Sequence, residues 1–578
     1  MAAIQLRQDR TQILNYLWDL QNDKGYISDS DVRRLSRELD FSVVEVEGIL
    51  SFYHFFHREP TGKYIIYLNN SIVSEVKGFE KIKEAFEKET GGKFGGVDPT
   101  GTFGLFETSC IGLSDQEPAA LINFEPFVNL TPAKVKKIIL AIRNGEDIKK
   151  IRDEVVDNIY SLTSDPVFFR PYTIGSALKK LIKLSPEQVI DIVKESGLSG
   201  MGGAFFPTGV KWQFCRRNMS FQKYIICNAD EGEPGTFKDR ALLQQVPGRV
   251  IEGMIIGAFA IGASKGIIYL RAEYKYLLPK LEATLEQFRD IGLLGENILG
   301  KDGFDFDIRI QLGAGAYICG EETALIESLE GERGGPRTKV YFPVEKGLFN
   351  KPTVVNNVET FCAVSNILDL GPKDFNRRGT EISKGTKLLS ISGHCKKPGI
   401  YEIEWGVKIK DILAGCGAQD PYFIQVSGPS GKPIRATEVD RTICTEDILC
   451  GGSFMIFNSK TDVFDILRNF SKFFINESCG LCTPCRAGNF LVGQKLSRIR
   501  KGLEQEKVLS EIISWSQIIK AASRCGLGKT STNFIIETIE KFPEVFEGKL
   551  LKDEGQKEFN VTEATQAYLN YTNKINKS

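Results

Sequence analysis

Three cysteines near the C-terminal end of the chain, Cys479, Cys482 and Cys485, are spaced C-x-x-C-x-x-C, and Cys525 follows alone. A 4Fe–4S cluster takes one thiolate for each iron, and a tight triplet with a remote fourth cysteine is typical of its ligand sets. The spacing therefore indicates an iron–sulfur cluster and the transfer of single electrons.

Two alternatives to a cluster stay open at this point. Four cysteines can ligate zinc, although zinc sites usually supply two C-x-x-C pairs, and the four thiols could also be unligated core residues. The other nine of the 13 cysteines are scattered singly and form no disulfide pattern, which is typical of small buried side chains; they are Cys110, Cys215, Cys227, Cys319, Cys362, Cys395, Cys416, Cys444 and Cys450.

A glycine-rich stretch from Gly197 to Trp212 contains Gly200, Gly202 and Gly203, followed by Lys211. Glycines let a backbone approach a ligand closely and turn its N–H groups toward phosphate oxygens, while a lysine adds positive charge. The stretch matches neither the G-x-G-x-x-G fingerprint nor the phosphate loop G-x-x-x-x-G-K-S/T. A ligand-binding loop and a simple tight turn are both compatible with it.

Three acidic residues, Asp230, Glu231 and Glu233, follow Asn228 directly after the apolar run 224–227. Open α/β sheets bind ligands at the C-terminal ends of their strands. Carboxylates at such a place suit ligands that offer hydrogen-bond donors, such as ribose or ribityl hydroxyls and a nicotinamide carboxamide. A metal site and a solvated acidic loop are the alternatives.

Two further loops combine the same residue types. The stretch 313–324 sets glycines beside carboxylates, and the stretch 353–359 offers side-chain amides suited to the edge of a heteroaromatic ring. Their candidate residues are Tyr317, Gly320, Glu321 and Glu322 in the first loop and Asn356 and Asn357 in the second.

The periodicity of apolar residues predicts a multidomain α/β protein that positions these motifs. Strands alternating with helices around the glycine and acidic motifs indicate an open, mostly parallel sheet. We predict a helical segment over residues 1–60, a small α/β domain over 61–150, a ligand-binding α/β domain over 160–380, a β-rich unit over 385–460, a helical bundle over 461–550 and a polar tail over 551–578.

Composition places the protein in a reducing, cytoplasmic setting. An odd number of cysteines without a signal peptide is typical of compartments in which disulfides do not form. Lys plus Arg and Asp plus Glu each number 74, and this balance suggests neither nucleic acid nor an anionic membrane as a partner. The most apolar stretch, 253–264, falls short of the ~20 residues that a transmembrane segment needs.

Taken together with the stretch 328–337, these motifs resemble the NADH-binding flavoprotein subunit of respiratory complex I over residues 168–546. The N-terminal part resembles the thioredoxin-like partner of that subunit, here fused in one chain. Such a fusion is similar to the diaphorase flavoproteins of soluble, NAD-reducing nickel–iron hydrogenases. The resemblance implies a Rossmann-like domain for FMN and NADH, a ubiquitin-like β-grasp domain, and a C-terminal helical bundle that carries the 4Fe–4S cluster.

The resemblance also implies roles for individual residues. No side chain is implied as a catalyst, because the cofactors carry the hydride chemistry. Glu233 and Glu322 would orient the nicotinamide, Phe206 and Phe214 would stack on the adenine, and Lys339 and Phe342 would contact the nucleotide. The residues implied to hold FMN or to line its site are Gly200, Gly202, Gly203, Lys211, Asn228, Asp230, Glu231, Tyr317, Gly320, Glu321, Asn356 and Asn357.

The sequence departs from the family pattern in two places. Met201 and Phe205 stand where relatives carry Arg and Gly, which removes a cation and places a bulky ring that we expect to narrow the nucleotide site. Relatives of the thioredoxin-like part ligate a 2Fe–2S cluster through four cysteines. Here the matching positions read Asn69, Ser74, Cys110 and Ser114, and we expect no 2Fe–2S cluster.

We therefore predict an NADH:acceptor oxidoreductase subunit with FMN, NAD(H) and a 4Fe–4S cluster. Its expected partners are an iron–sulfur electron-carrier subunit and the hydrogenase subunits of a hetero-oligomer. An NAD-dependent formate dehydrogenase or a complex I-like assembly could use the same module. A hypothesis of another class is a non-catalytic scaffold that keeps the fold without nucleotide turnover.

Overall fold

The computed structural model describes residues 9–552 together with 565, 566 and 569. Most of the polar tail predicted over 551–578 lies outside the described residues. The multidomain α/β architecture predicted from the sequence is confirmed.

Helices α1 (Ile13–Lys24), α2 (Asp29–Leu39) and α3 (Val43–Leu50) form the N-terminal segment. Ser28 begins α2 through a capping box, in which its Oγ accepts a hydrogen bond from the Asp31 N–H at 3.2 Å. The segment packs against the 313–320 loop, because Trp18 Nε1 donates to the Gly313 carbonyl at 3.0 Å and the His54 N–H donates to the Gly315 carbonyl at 2.9 Å.

A five-stranded sheet follows, with strand order β2-β3-β1-β4-β5. Strands β1 and β3 are parallel and the other pairs are antiparallel. Apolar side chains of the sheet and of helices α5 and α6, among them Ile66, Phe86 and Ile139, form its core. The elements are β1 (Tyr64–Asn69), α4 (Ile72–Val76), α5 (Phe79–Thr90), β2 (Gly96–Val97), β3 (Phe103–Thr108), β4 (Ala120–Ile122), β5 (Glu125–Phe127), α6 (Pro132–Arg143) and α7 (Ile148–Ile151).

The next domain is built on a four-stranded sheet, β10-β7-β8-β9, in which every neighbouring pair is parallel. Helix α12 is buried along its whole length and packs on α16 so closely that a Cβ on Gly253 would overlap the Phe361 carbonyl. The chain enters through β6 (Ile159–Ser161), and the domain comprises α8 (Ser176–Leu181), α9 (Pro186–Glu195), α10 (Thr208–Arg217), β7 (Tyr224–Ala229), α11 (Lys238–Gln245), α12 (Pro247–Ile261), β8 (Lys265–Leu270), α13 (Leu278–Asp290), β9 (Asp307–Leu312), α14 (Glu322–Leu329), α15 (Pro343–Lys346), β10 (Thr353–Asn357), α16 (Val358–Leu370) and α17 (Pro372–Asn376).

A six-stranded mixed sheet, β15-β14-β17-β11-β12-β6, forms the β-rich unit. Its edge strand β6 precedes the parallel-sheet domain in the chain and pairs with β12 in parallel, Ile159 beside Ile400. The predicted boundaries assign residues 160 and 161 to the parallel-sheet domain, and no local signal in the sequence reveals so distant a pairing. The remaining elements are β11 (Thr386–Gly393), β12 (Gly399–Glu404), β13 (Val407–Lys408), α18 (Ile409–Cys416), β14 (Pro421–Val426), β15 (Lys432–Arg435), β16 (Thr442–Ile443) and β17 (Ser453–Asn458).

Helices form the C-terminal part that carries the cysteine triplet. Their buried faces are rich in phenylalanine, including Phe470, Phe474 and Phe534. None of the helices in the described part of the chain is long and apolar enough to span a membrane. The helices are α19 (Val463–Glu477), α20 (Thr483–Arg500), α21 (Val508–Ala522), α22 (Gly526–Thr530) and α23 (Asn533–Lys541).

Candidate functional site

The glycine loop and the ends of two parallel strands meet at one edge of the sheet. Asn228 at the end of β7 lies in register with Asn357 at the end of β10. A Cβ atom on Gly202 would lie 3.0 Å from the Asn357 Cβ, so the loop packs closely on that strand end. Gly203 has φ +108°, and the space that its Cβ would fill holds no described atom within 4 Å. The backbone there is open to a ligand.

Lys211 and Trp212 on α10 connect the glycine loop to β10. Lys211 Nζ lies 2.9 Å from Glu322 Oε2 and donates to the Val355 carbonyl at 2.8 Å. Trp212 Nε1 donates to Asn356 Oδ1 at 2.9 Å. The predicted residues Lys211, Glu322 and Asn356 are thus brought together, and the lysine charge is balanced by one of the carboxylates predicted to orient the nicotinamide.

The acidic loop after β7 packs on the loop that contains Tyr317 and Gly320. Asn228 Nδ2 donates to the Gly320 carbonyl at 2.8 Å. A Cβ on Gly232 would lie 2.9 Å from the Tyr317 ring, so only glycine lets the two loops approach this closely. Burial raises the pKa of Asp230 well above its usual range, and the nearby Arg271 acts in the opposite direction. A carboxyl group at this place suits a ligand that donates hydrogen bonds.

Glu233 is held by two residues that come from different domains. Its Oε2 accepts hydrogen bonds from the Tyr317 hydroxyl and, at 3.0 Å, from Ser430 Oγ, and its Oε1 accepts from the Ser430 N–H at 2.9 Å. Burial raises the pKa of Glu233 to about 7, although these hydrogen bonds lower it. The Glu233 carboxyl therefore exchanges a proton near neutral pH. Sequence reasoning missed Ser430, because its glycine-rich turn shows no ligand-binding signal.

Two of the predicted carboxylates have structural partners. Glu231 accepts hydrogen bonds from the N–H groups of Asp239 at 2.8 Å and Arg240 at 3.2 Å, at the start of α11. Glu321 accepts from the N–H groups of Thr323 and Ala324 at 2.9 and 3.0 Å and begins α14. Both side chains act as helix caps, which carboxylates do well. Their predicted contacts with a cofactor stay predictions.

The aromatic residues predicted to contact the nucleotide lie at the surface. Phe206, Phe214 and Phe342 are 47%, 45% and 60% exposed, and Lys339 is exposed as well. Helices α10 and α15 pack side by side. Asn218 Nδ2 joins them by donating to the carbonyls of Phe214 at 2.9 Å and Val344 at 3.1 Å.

The two departures from the family pattern have separate structural consequences. Met201 is 1% exposed and belongs to the core, so it contributes nothing to the charge of the glycine loop. Phe205 has φ +51°, a conformation that favours glycine, and its ring packs edge-on against Trp405 at 5.8 Å. The expected narrowing of the nucleotide site by Phe205 stays a prediction.

Cys479, Cys482, Cys485 and Cys525 together line one cavity. Cys482 directly precedes α20, Cys485 lies in its first turn, and Cys525 precedes α22. Burial raises the pKa of Cys485, and it raises that of Cys525 to about 11. Among the described residues, no His, Cys, Asp and Glu side chains are grouped closely enough to ligate a single metal ion.

Donors surround the sulfur atoms of this cavity. The Arg524 N–H lies 3.4 Å from Cys482 Sγ, and Asn489 Nδ2 lies 3.5 Å from Cys485 Sγ. The N-terminus of α20 adds positive potential from unpaired N–H groups. These donors stabilise thiolates and so act against the effect of burial on the cysteine pKa values. The four positions and their surroundings therefore fit an iron–sulfur cluster.

Ile318 connects the two sites. Its side chain lines the cysteine cavity, and the residue before it, Tyr317, contacts Gly232 and Glu233 of the acidic loop. Two residues adjacent in the sequence thus contact the acidic loop and line the cysteine cavity. Sequence reasoning missed Ile318, because a single apolar residue beside a glycine is an ordinary core feature.

In the thioredoxin-like domain, the four positions predicted to match the 2Fe–2S ligands of relatives carry one thiol. Cys110 Sγ lies 3.4 Å from Ser114 Oγ, and Asn69 Nδ2 donates to Glu117 Oε1. Glu117 is buried, and this burial raises its pKa to about 8. One thiol, two hydroxyls and an amide are fewer soft donors than such a cluster usually takes, and the absence of a 2Fe–2S cluster stays a prediction.

Three family models match the chain in order along its length. They describe a thioredoxin-like 2Fe-2S ferredoxin over residues 2–143, the Nuo51 FMN-binding domain over 193–366, and the NADH-ubiquinone oxidoreductase-F iron-sulfur binding region over 465–549. With the site geometry, these matches define the class as the flavin and iron–sulfur subunits of NADH oxidoreductases.

Individual relatives narrow the family further. The chain is 50% identical over 565 residues to the NAD-reducing hydrogenase HoxS subunit alpha of Cupriavidus necator, a match that covers 95% of this chain and 94% of that one. An NADH-quinone oxidoreductase subunit of Aquifex aeolicus is 42% identical over 64% of this chain and 88% of its own length. A crystal structure of an air-oxidized NAD+-reducing NiFe hydrogenase has a TM-score of 0.88 at 34% identity and covers 97% of both chains. The chain belongs to the family of NAD-reducing hydrogenase alpha subunits.

Proposed function

We propose that this chain is the NADH:acceptor oxidoreductase (diaphorase) subunit of a cytoplasmic NAD-reducing hydrogenase. The observation that carries the proposal is the segment 317–318, in which Tyr317 contacts the acidic loop and Ile318 lines the cysteine cavity. A subunit that couples a flavin to an iron–sulfur cluster needs the two sites to be neighbours. FMN, when bound, supplies the exchange between hydride transfer and single-electron transfer.

The chain's own residues bind and orient the cofactor. In the glycine loop, the open backbone at Gly203 suits the close approach of a phosphate, while Gly200 donates its N–H to the Phe206 carbonyl and Gly202 packs on Asn357. Asn228 and Asp230, at the end of β7, offer an amide and a carboxyl group to ligand hydroxyls. Asn356, fixed by Trp212, suits the edge of the ring system.

NADH binding uses the outer side of the same edge. Phe206 and Phe214 offer exposed rings for the adenine. Glu233 and Glu322 would orient the nicotinamide end, and each is fixed by a partner: Tyr317 for the first and Lys211 for the second. Burial raises the pKa of Glu233 to about 7, so its carboxyl group is neutral for part of the time at neutral pH and can then also donate a hydrogen bond to the ligand.

The four cysteines hold the 4Fe–4S cluster. Four ligands of one zinc ion must all lie about 2.3 Å from a common point, whereas cubane ligands each bind a different iron and lie farther apart. The C-x-x-C-x-x-C triplet with a remote fourth cysteine, all four lining one cavity, supports the cluster. The thioredoxin-like domain holds no 2Fe–2S cluster in this proposal, and its role is to support the flavin-binding domain.

One experiment tests the proposal directly. The purified chain, reconstituted anaerobically with FMN, iron and sulfide, should bind one flavin and reduce an artificial dye with NADH. Native purification should yield an iron–sulfur electron-carrier subunit and nickel–iron hydrogenase subunits. A protein that binds FMN but never oxidises NADH would support the non-catalytic scaffold, and a molybdenum-containing partner would support a formate dehydrogenase.

A further inference from the structure

Arg271 lies between the thioredoxin-like domain and the acidic loop of the flavin-binding domain. It follows β8 directly and is 4% exposed. Its Nη1 donates to the Glu231 carbonyl, and its Nη2 donates to the Cys110 carbonyl at 2.6 Å. Glu273 accepts from Nε at 3.0 Å and from Nη2 at 2.6 Å and so fixes the guanidinium plane. One side chain therefore joins a loop of each domain.

The thioredoxin-like loop also packs directly on a second residue that holds Glu231. Gly112 has φ +74°, and a Cβ there would overlap the Tyr274 hydroxyl. That hydroxyl donates to Glu231 Oε2 at 2.7 Å. The loop around Cys110 and Gly112 thus contacts two residues that hold Glu231. Arg271 binds the Glu231 backbone carbonyl, and Tyr274 binds the Glu231 carboxylate. Glu231 lies between Asp230 and Gly232 of the proposed flavin site.

Arg240 offers a comparison within the same interface. Its guanidinium is fully buried, donates to the Gly112 carbonyl at 2.6 Å and pairs with Asp115 at 3.3 Å and Asp157 at 2.9 Å. These partners all lie at 112–157, in the N-terminal part of the chain. The Arg240 side chain therefore joins the domains without a hydrogen bond to the carbonyls of the acidic loop.

We propose that Arg271 is a positioning residue for the flavin and nicotinamide site: it holds the acidic loop by the Glu231 carbonyl, and the iron-free Cys110 loop holds Arg271 in place. The inference rests on the proposed function. The planar guanidinium suits this role because it directs several N–H donors at fixed angles, which a lysine cannot do. The positive charge of Arg271 also acts on Asp230, whose pKa it lowers against the effect of burial.

In this arrangement the thioredoxin-like domain has a structural role that needs no iron. The loop that carries half of the cluster ligands in a 2Fe–2S relative here offers two backbone carbonyls as acceptors. Backbone carbonyls cannot be lost by substitution, so the contact depends on the loop's conformation and not on its side chains. The loop becomes part of the support for the flavin site.

The test compares Arg271→Lys with Arg240→Lys in the full-length protein. Hydrogen exchange of the 228–235 amides in the FMN-free protein should be faster in Arg271→Lys and unchanged in Arg240→Lys. The FMN dissociation constant should rise by roughly tenfold in Arg271→Lys, the scale of one charge-assisted hydrogen bond. The flavin midpoint potential should shift in Arg271→Lys only. Both variants should lower the melting temperature, since each loses an interdomain contact.

Two outcomes would overturn the inference. One is equal effects of both variants on exchange, FMN binding and potential, which would make Arg271 an ordinary interface residue. The other is wild-type behaviour of Arg271→Lys in all three measurements. If Arg271→Lys does not accumulate as a folded protein, Glu273→Gln carries the same test, because it loosens the guanidinium without removing it. Failure of the wild type to bind FMN or oxidise NADH would instead refute the proposed function.

Discussion

The Tyr317 hydroxyl donates a hydrogen bond to Glu233 Oε2, and this contact joins the segment beside the cysteine cavity to the acidic loop of the flavin-binding domain. Ser430 of the β-rich unit binds the same carboxyl group through its N–H and its hydroxyl. Two separate parts of the chain therefore fix a carboxyl group that belongs to a third. Its chemistry depends on how those parts are assembled.

Glu233→Gln should weaken NADH turnover more than FMN retention. The amide keeps most of the volume but carries no negative charge and does not exchange a proton near pH 7, where the carboxyl does. We expect kcat/KM for NADH to fall at least roughly tenfold, the lower end of the scale for a proton-transferring or orienting group, while the FMN content changes little. Steady-state kinetics and flavin fluorescence measure the two effects. Loss of flavin without a separate kinetic effect would show that this carboxyl group binds the flavin and not the nicotinamide.

Cys482→Ser and Cys525→Ser should each stop electron exit to the physiological partner and leave part of the direct flavin-to-dye activity. A serine hydroxyl is a poor substitute for a thiolate, so the cluster is lost while the flavin site keeps its own residues. Cys444→Ser is the matched control, because Cys444 is buried and lies outside the cysteine cavity. Iron content and EPR spectra decide the matter, and a normal cluster signal in both ligand variants would refute the assignment.

The thioredoxin-like domain should hold no iron in the full-length protein. Combining Cys482→Ser with Cys525→Ser removes the proposed 4Fe–4S site, and the reconstituted double variant should then show no cluster at all. Asn69, Ser74 and Ser114 offer amide and hydroxyl groups in place of thiolates. Amides and hydroxyls bind the iron of such clusters poorly. A 2Fe–2S absorption or EPR signature in this double variant would show that the ligand alignment is wrong.

Glu117→Gln should stabilise the protein increasingly as the pH rises from 5 to 8. The native carboxyl has a pKa of about 8, against 4.5 when solvated, so in this range the folded state binds a proton that the unfolded state releases. The stability that Glu117 contributes is present below pH 4.5 and is lost as the pH rises toward 8, by up to about 1.4 kcal/mol per pH unit.

Glutamine does not titrate, so the variant does not lose this stability as the pH rises. The melting temperature of Glu117→Gln minus that of the wild type should therefore grow with pH. Glu80→Gln, on an exposed part of α5, provides the control and should show no such trend. A constant difference across the pH range would mean that Glu117 does not bind a proton in the folded protein.

Phe214→Ala should raise the KM for NADH with little change in FMN affinity or kcat. The exposed ring is proposed to stack on the adenine, far from the reacting carbon, and such a stack contributes about 1–3 kcal/mol. Phe221→Ala is the control, because the Phe221 ring is exposed as well but lies outside the proposed site. Equal effects of the two substitutions on KM would contradict the stacking assignment.

The sequence showed the motifs of the candidate site more clearly than the contacts between them. The cysteine spacing, the glycine loop and the acidic loop are all visible as local patterns, and the structure brings most of their residues together. Glu231 and Glu321 look equivalent to Glu233 in the sequence. Only the fold shows that the first two accept hydrogen bonds from the first N–H groups of helices α11 and α14.

Long-range contacts explain what the sequence did not reveal. Ser430 reaches Glu233 from another domain, and Arg271 joins loops that are far apart in the chain. Neither residue belongs to a periodic pattern or a spaced motif. Contacts of this kind depend on how domains pack, and a single sequence carries no local signal for them.

Strand β6 completes the sheet of the β-rich unit from a position ahead of the flavin-binding domain. During synthesis, this strand leaves the ribosome long before its partner β12 exists, so the sheet closes only after the whole flavin-binding domain has been made. The flavin-binding domain is thus an insertion within the β-rich unit and not merely its neighbour. An expression fragment that starts at residue 385 would expose the free edge of β12, and exposed strand edges promote aggregation. Any dissection of this protein should keep residues 159–161 with the sheet they complete.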